Sequence, residues 1–535
     1  MTTIDLAPYS SYFSIATLSD SNSLSTGGSD EQANVFSASN YSSFSVNTVS
    51  SPDIEFDSTT GRITARVTGT YLLVFIPSVT LSSGSGVGVT ARINRNGSNV
   101  VTVENLTAFT STDPISATCH RILDLTAGDY IGLTISATST DPIVAQNGTS
   151  FTMLKANGDY ASLAQSGDGS AGAANTLEVI GNTVLAGNNN ITTNLNNITY
   201  NSNTGKLTPA NTRPFFLLAT LVGASDTKTE ETTIGVYANN TLIDEASALI
   251  HEDDDPNEES YGLLKTLTGG QTVSARYQGG TGTTITTKKG TSFSVLDLSN
   301  SDGAGTPSAF ISFSVAADSD PQTSGEKNCF DEDLWTSYST TVHSAATNIS
   351  YASDTGFFTV QNAGKYLVLW NVVLGDSVSS SNRNALIKKD STEVYRVPLM
   401  VHTSFDPLER TICVILDAEA NETFTFKLQG IRGKIAEGTG VTMVKIDDLE
   451  HLDNSFFYDR PNTNLFDDHR VPAALIADDF TINSLSADGL SSQHNRLKTK
   501  QVPFSLGIRG PMSLRGKPAS TDETPQNVSI GTKKT

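Results

Sequence analysis

Cysteine is nearly absent from this chain: Cys119, Cys329 and Cys413 are the only three among 535 residues, and no two of them form a CxxC pair. That excludes a disulfide framework and a zinc knuckle. Long hydrophobic runs are missing as well. The apolar stretches Tyr71–Phe75 and Tyr366–Trp370 fall far short of the ~20 residues that cross a bilayer, so no membrane partner is expected. The opening MTTIDLAPYSSYFSIATLSD has neither a basic n-region nor a continuous apolar stretch, so it does not read as a secretory signal. Positive charge is scarce: 34 Lys+Arg stand against 56 Asp+Glu, a net charge of −22. Such a surface repels nucleic acid, and direct nucleic-acid binding is not expected of the body of the chain.

What the chain does have is turn and strand chemistry. Its 42 glycines accompany many Ser, Thr, Asn and Asp residues, with 17% charged and 7% aromatic residues. These are poor helix formers and good strand and turn formers. The apolar fraction of 37% suffices for cores that are small and separate, and the length allows roughly three to four domains.

Three segments share an aromatic-x-Ser-x-Thr-Gly signature: Phe56–Gly61, Tyr200–Gly205 and Tyr351–Gly356. Ten residues after each glycine an aromatic opens an apolar strand, at Tyr71, Phe215 and Tyr366. Further landmarks keep step. A polar turn falls at Asn96-Gly97, at Asn240 and at Asp390-Ser391, and a second turn opens at Asp124, Thr266 and Asp417. Alternating strands follow, with Ile131, Leu133 and Ile135 on one face in the first repeat, Val273, Ala275 and Tyr277 in the second, and Phe424, Phe426 and Leu428 in the third. Period-two alternation means one face buried and one wet. Each repeat closes on a strand behind a glycine: Gly148–Phe151, Gly290–Phe293 and Gly438–Val441. Phe13–Ala16 matches Phe313–Ala316 at the openings of the first and third repeats, whereas the first strand of the second repeat is hard to find. The repeats predict all-β architecture, with three tandem antiparallel jelly-roll β-sandwiches over 1–158, 159–300 (divergent) and 301–450, and an extended C-terminal arm over 451–535. The joints are placed at Ser162–Gly172 and Asn300–Gly305.

An aromatic before a Gly turn, Gly69-Thr70-Tyr71 opening an apolar strand, the Asn96-Gly97 turn, the Asp124–Asp129 turn and the closing Ser150-Phe151 together resemble the jelly roll of complement globular heads and tumour-necrosis-factor ligands. The second repeat departs at Arg213-Pro214-Phe215. The third keeps Gly364-Lys365-Tyr366 but has Glu419–Glu422 at the turn and Val441 for the last Phe. The resemblance implies three-fold association along an apolar axis, hence a homotrimer.

The last 85 residues carry no repeat landmark. Residues 491–535 hold eight basic side chains (Arg496, Lys498, Lys500, Arg509, Arg515, Lys517, Lys533 and Lys534) against Asp522 and Glu523, a net +6 that leaves −28 for the rest. With Pro503, Pro511 and Pro518 this segment reads as a docking arm that orders on an acidic partner; Arg496, Lys498, Lys500, Arg509, Arg515 and Lys517 are its candidate docking residues.

Catalytic signatures are thin. The seven histidines form no HExxH motif, and no GxSxG or Walker A sequence occurs. Cys119 and His120 are adjacent, but neighbours in a strand point to opposite faces, so they make no dyad. Registered by the repeats, Cys413 falls opposite His120. Glu252, Asp253, Asp254 and Asp255, with Glu258 and Glu259, supply oxygens a hard cation could use, although a solvated acidic loop is the plainer reading. No enzyme activity and no cofactor are expected. The expected function is a virion structural protein: a trimeric bacteriophage capsid decoration, head fibre or spike, assembled in the host cytoplasm and anchored to the major capsid protein or another virion protein by its C-terminal arm. The alternative is a tail fibre or adhesin that binds a host receptor or surface glycan.

Overall fold

The computed structural model describes residues 11–446 apart from 25–32, 83–86, 109–113, 139–141, 157, 170, 173–175, 183–190, 227–229, 251–256, 281, 299–306, 308, 323–324, 346–347, 376–382, 400–407 and 431–432. The described strands fall into three groups with one topology. In each group the inner sheet runs edge, central, closing, opening and outermost strand. In the first group these are Cys119–Leu125, Gly69–Ile76, Ser150–Ala156, Tyr12–Thr17 and Val46–Ser50. The same order is built by Asn257–Leu267, Arg213–Ser225, Ser292–Asp297, Tyr160–Gln165 and Ile191–Asn196, and by Leu408–Ala418, Gly364–Gly375, Gly440–Lys445, Phe310–Val315 and Thr340–Ala345. An outer sheet covers each; in the first group its order is Ile54–Asp57, Arg62–Ala65, Tyr130–Ala137, Val87–Arg95 and Ser98–Ala108. All pairings are antiparallel and, apart from the hairpins of the outer sheets, join strands that are not consecutive in sequence, so the fold is a set of jelly-roll β-sandwiches. Every described strand lies within Met1–His451, one compact unit.

The elusive first strand of the second module is Tyr160–Gln165, paired with Ser292–Leu296. It takes up the first residues of the expected joint Ser162–Gly172, because Ala161 and Leu163 face the core of the second module, where both are fully buried. The opening strands also register differently from the sequence match. Phe313 sits opposite Val441, as Ile15 sits opposite Phe151, so Phe313 is the equivalent of Ile15 and not of Phe13. A two-residue slip keeps every side chain on its own face, which is why the matched pattern survives it.

The turns follow from backbone chemistry. Asn96-Gly97, Asn239-Asn240 and Asp390-Ser391 all have positive φ at both positions, the requirement of a two-residue hairpin turn whose twist matches its strands. The central strand is unbroken in the second and third modules. In the first it stops at Ile76 and resumes at Ser78, because Pro77 has no N–H for the ladder.

The apolar run YLLVF, continuous rather than alternating, is buried on both faces. Tyr71, Leu73 and Phe75 fill the first sandwich, while Leu72, Val74 and Ile76 point into a fourth core. The same division recurs at Phe215 and Leu217 against Phe216 and Leu218, and at Tyr366 and Val368 against Leu367 and Leu369. Each module therefore has its own core, and the three inner sheets share one between them.

Candidate functional site

The shared core is built from equivalent positions. Ile122, Leu264 and Ile415 come from the three edge strands, Leu72, Phe216 and Leu367 from the central strands, and Leu154, Leu296 and Val444 from the closing strands. The sandwiches thus pack inner sheet to inner sheet about a pseudo-three-fold axis.

An edge strand carries unpaired backbone groups that must be covered. Here each is covered by the next module, in a closed cycle. The N–H of Ile122, in the first module, donates to Ser162 Oγ of the second at 3.2 Å. Leu264 N–H of the second donates to Ser312 Oγ of the third at 3.0 Å, and Ile415 N–H of the third donates to Ser14 Oγ of the first at 3.0 Å. Each of these buried serines also bonds a hydroxyl on its own closing strand: Ser294 at 3.2 Å, Thr442 at 2.6 Å and Thr152 at 3.1 Å.

Gly148, Gly290 and Gly438 precede the closing strands with φ of 87°, 107° and 89°. Each lies flat against a neighbour's outer sheet, where a Cβ would collide with the carbonyl oxygens of Arg396, Thr102 and Glu245, respectively. Glycine is required twice over, by φ and by this approach. Module one meets three, two meets one and three meets two.

One end of the axis is apolar; the other is polar. Thr118 Oγ1 lies 2.8 Å from Ser260 Oγ, and Thr411 Oγ1 donates to Ser260 O at 3.0 Å. Beyond them, Glu258 Oε1 accepts from Thr118 N–H at 2.9 Å and Glu409 Oε1 accepts from Ser260 N–H at 3.0 Å. Each carboxylate crosses from one module to another. Loss of water raises both carboxyls well above their ordinary range, and Glu258 charge pushes Glu409 further. Arg410, only 4% exposed, supplies the countercharge, and burial lowers its own pKa. Glu258 and Glu259 were expected in a solvated acidic loop. Instead they belong to the edge strand, and Glu259 is 3% exposed, with its carboxylate receiving the Thr232 hydroxyl.

Cys119 and His120 diverge. Cys119 points into the first sandwich, its Sγ 3.8 Å from Ala91 O, and burial pushes the thiol far up. His120 points into the second module, with Nδ1 2.9 Å from Ser294 Oγ and Nε2 3.0 Å from Ser292 Oγ. Burial pushes its pKa down to about 3, so the ring is neutral and positions rather than titrates. A further Ser/His/Asp group, Ser314, His343 and Asp244, is gathered where modules two and three meet. Asp244 Oδ2 receives both His343 Nε2, at 2.9 Å, and the Ser314 hydroxyl, so serine and aspartate sit on the same ring nitrogen. A relay from nucleophile through imidazole to carboxylate needs them on opposite nitrogens; this arrangement is a bonded joint.

Glu252, Asp253, Asp254 and Asp255 lie outside the described residues, and so do 451–535 with Arg496, Lys498, Lys500, Arg509, Arg515 and Lys517. Among the described residues no group of three or more His, Cys, Asp and Glu could hold a metal ion. The sequence reading missed the seam residues themselves. The recurring serine of the opening strands and the glycine ahead of each closing strand were its legible signals.

No known protein family matches the chain, and no curated protein does. Among solved structures it is similar to murine APRIL, with 9% identity over 25% of this chain and 98% of that one at a TM-score of 0.20. It is similar to the Eiger TNF of S. frugiperda, with 16% identity over 28% of this chain and 92% of that one at a TM-score of 0.19. PNGF-II matches at 8% identity over 72% of this chain and all of that one, at a TM-score of 0.23.

Proposed function

We propose that this chain is a non-catalytic virion structural protein: a bacteriophage capsid decoration, head fibre or spike whose three-fold head is made by one polypeptide and whose basic segment 491–535 holds it to the particle. The observation that carries this reading is the closed cycle of inter-module contacts, Ser162–Ile122, Ser312–Leu264 and Ser14–Ile415. At these seams the buried serine hydroxyls join one module to the next. The resemblance implies a homotrimer of chains; within one chain the three-fold contact joins its three modules, so a homotrimer of whole chains would use another surface. The charge division supports attachment through the tail, since a −28 body and a +6 tail favour a partner that is acidic at its docking site.

The test is co-assembly of the full chain with the particle's major capsid protein, beside a variant in which Arg496, Lys498, Lys500, Arg509, Arg515 and Lys517 are changed to glutamate. The expected outcome is loss of incorporation with an unchanged folded head. Undiminished incorporation overturns the tail as anchor. Binding of the same head to host-surface glycan, with no affinity for the particle, moves the chain to the adhesin class.

A further inference from the structure

The three seams share a scaffold, yet the side chains that close them differ. At equivalent positions of the edge strands stand His120, Gly262 and Cys413, paired with Val74, Leu218 and Leu369 of their own central strands. His120 fills the first seam and is bonded by two serine hydroxyls of the second module. Gly262 leaves the second seam open, and the third module fills it. Asn371 Nδ2 donates to Gly262 O at 2.6 Å, Oδ1 accepts from Gly262 N–H at 3.3 Å, and Leu369 Cδ2 lies 2.6 Å from where a Cβ would be. Cys413 closes the third seam with a buried thiol, and its carbonyl accepts from Thr152 Oγ1 of the first module at 3.0 Å.

A second triplet sits on the outer sheets, where Val101, Asp244 and Tyr395 are equivalent by their pairing with Ile93, Val236 and Ile387. Val101 is an apolar wall. Asp244 takes Ser314 and His343 of the third module, and Tyr395 Oη donates to Gly148 O of the first at 2.6 Å. An imidazole at position 262 would meet Leu369 and, in place of Ser292 and Ser294, the equivalents Gly440 and Thr442. It would lose a hydroxyl partner and gain a collision.

We propose that His120, Gly262 and Cys413, each with the face it meets, form a matching code that fixes the cyclic order of the modules, so that each inner sheet accepts only its own neighbour and rejects the equivalent face of the others, including those of a second copy. Apolar burial alone cannot enforce this, since the aliphatic layers of the three seams are nearly interchangeable. Mismatched hydrogen bonds and steric overlap are what discriminate.

The test rebuilds one seam as another in the full chain. Gly262→His alone is expected to lower the thermal midpoint by at least about 5 °C or to prevent folding. Gly262→His combined with Asn371→Thr and Thr442→Ser gives the third-module face the equivalents of Thr220 and Ser294, while Gly440 stays because a Cβ there would lie 2.9 Å from Phe313 O. This variant is expected to recover at least a third of that loss. An unshifted midpoint for Gly262→His overturns the code. So does a three-site variant no better than Gly262→His, whether that variant folds weakly or not at all.

Discussion

The two ends of the pseudo-three-fold axis solve the same problem in different ways. The layer of Ile122, Leu264 and Ile415 presents nearly the same aliphatic shape three times. At the other end the equivalents of Glu258 and Glu409 include Ser116, and those of Arg410 are Glu259 and Ala117. Hydrophobic burial is non-directional, so three similar residues suffice to draw three sheets together. Hydrogen bonds and charges are directional and costly when unmade, so they can tell one neighbour from another. The apolar end accounts for cohesion and the polar end for order.

The largest expected effect breaks the apolar end. Leu264→Asp places an uncompensated carboxylate in the shared core and is expected to abolish the folded state in far- and near-UV circular dichroism. Leu264→Ala, at ~2–5 kcal/mol, should leave it measurable by denaturant unfolding. Equal tolerance of both substitutions would mean that the shared core is not a core.

The polar end gives a pH dependence. Glu258 is raised from 4.5 to about 7, so the fold holds its proton more tightly than the unfolded chain. Its stabilising contribution is complete below the unfolded pKa and is lost as pH rises through the folded one. His120 acts with opposite sign, because its depressed pKa weakens the fold only as pH falls below 6.5. Between pH 6.5 and 8 His120 is silent, and the two raised carboxyls, Glu258 and Glu409, carry the slope. The parent's thermal midpoint should fall across that interval, with a Glu258 share of roughly 1 °C for a unit of this size, and Glu258→Gln should make the slope shallower. Parallel slopes would remove Glu258 from the account.

A smaller effect is expected at a single inter-module hydrogen bond. Tyr395→Phe frees Gly148 O and should cost ~1 kcal/mol in denaturant unfolding. The smallest belongs to the surface: Arg66 and Glu55 are more than half exposed, and Arg66→Ala should move stability by less than ~0.5 kcal/mol. A larger loss at Arg66 than at Tyr395 would invert the ranking of seam over surface.

The strands were legible because their periodicity is local. YLLVF, FFLLA and YLVLW announce strands buried on both faces, and Asn96-Gly97 announces its hairpin. The first strand of the second module was not, since Ala161 and Leu163 are modest apolar residues amid serine and glycine, and only pairing with Phe293 and Val295 makes them core. The seam was half legible. Gly148, Gly290 and Gly438 recur visibly, but their purpose lies in Arg396, Thr102 and Glu245, far away in sequence. Glu258 and Glu259 read as solvated because burial of a carboxylate is decided by what the neighbouring module brings to it.

The most direct test of the account is the mass of the full chain by light scattering with size exclusion, across a dilution series in physiological salt. Three modules that close on one another predict a single species of 56.6 kDa that does not change with concentration. A species of three times that mass, dissociating on dilution into chains that lose near-UV signal, would show that the inner sheets are satisfied between chains and would contradict the closed single-chain head.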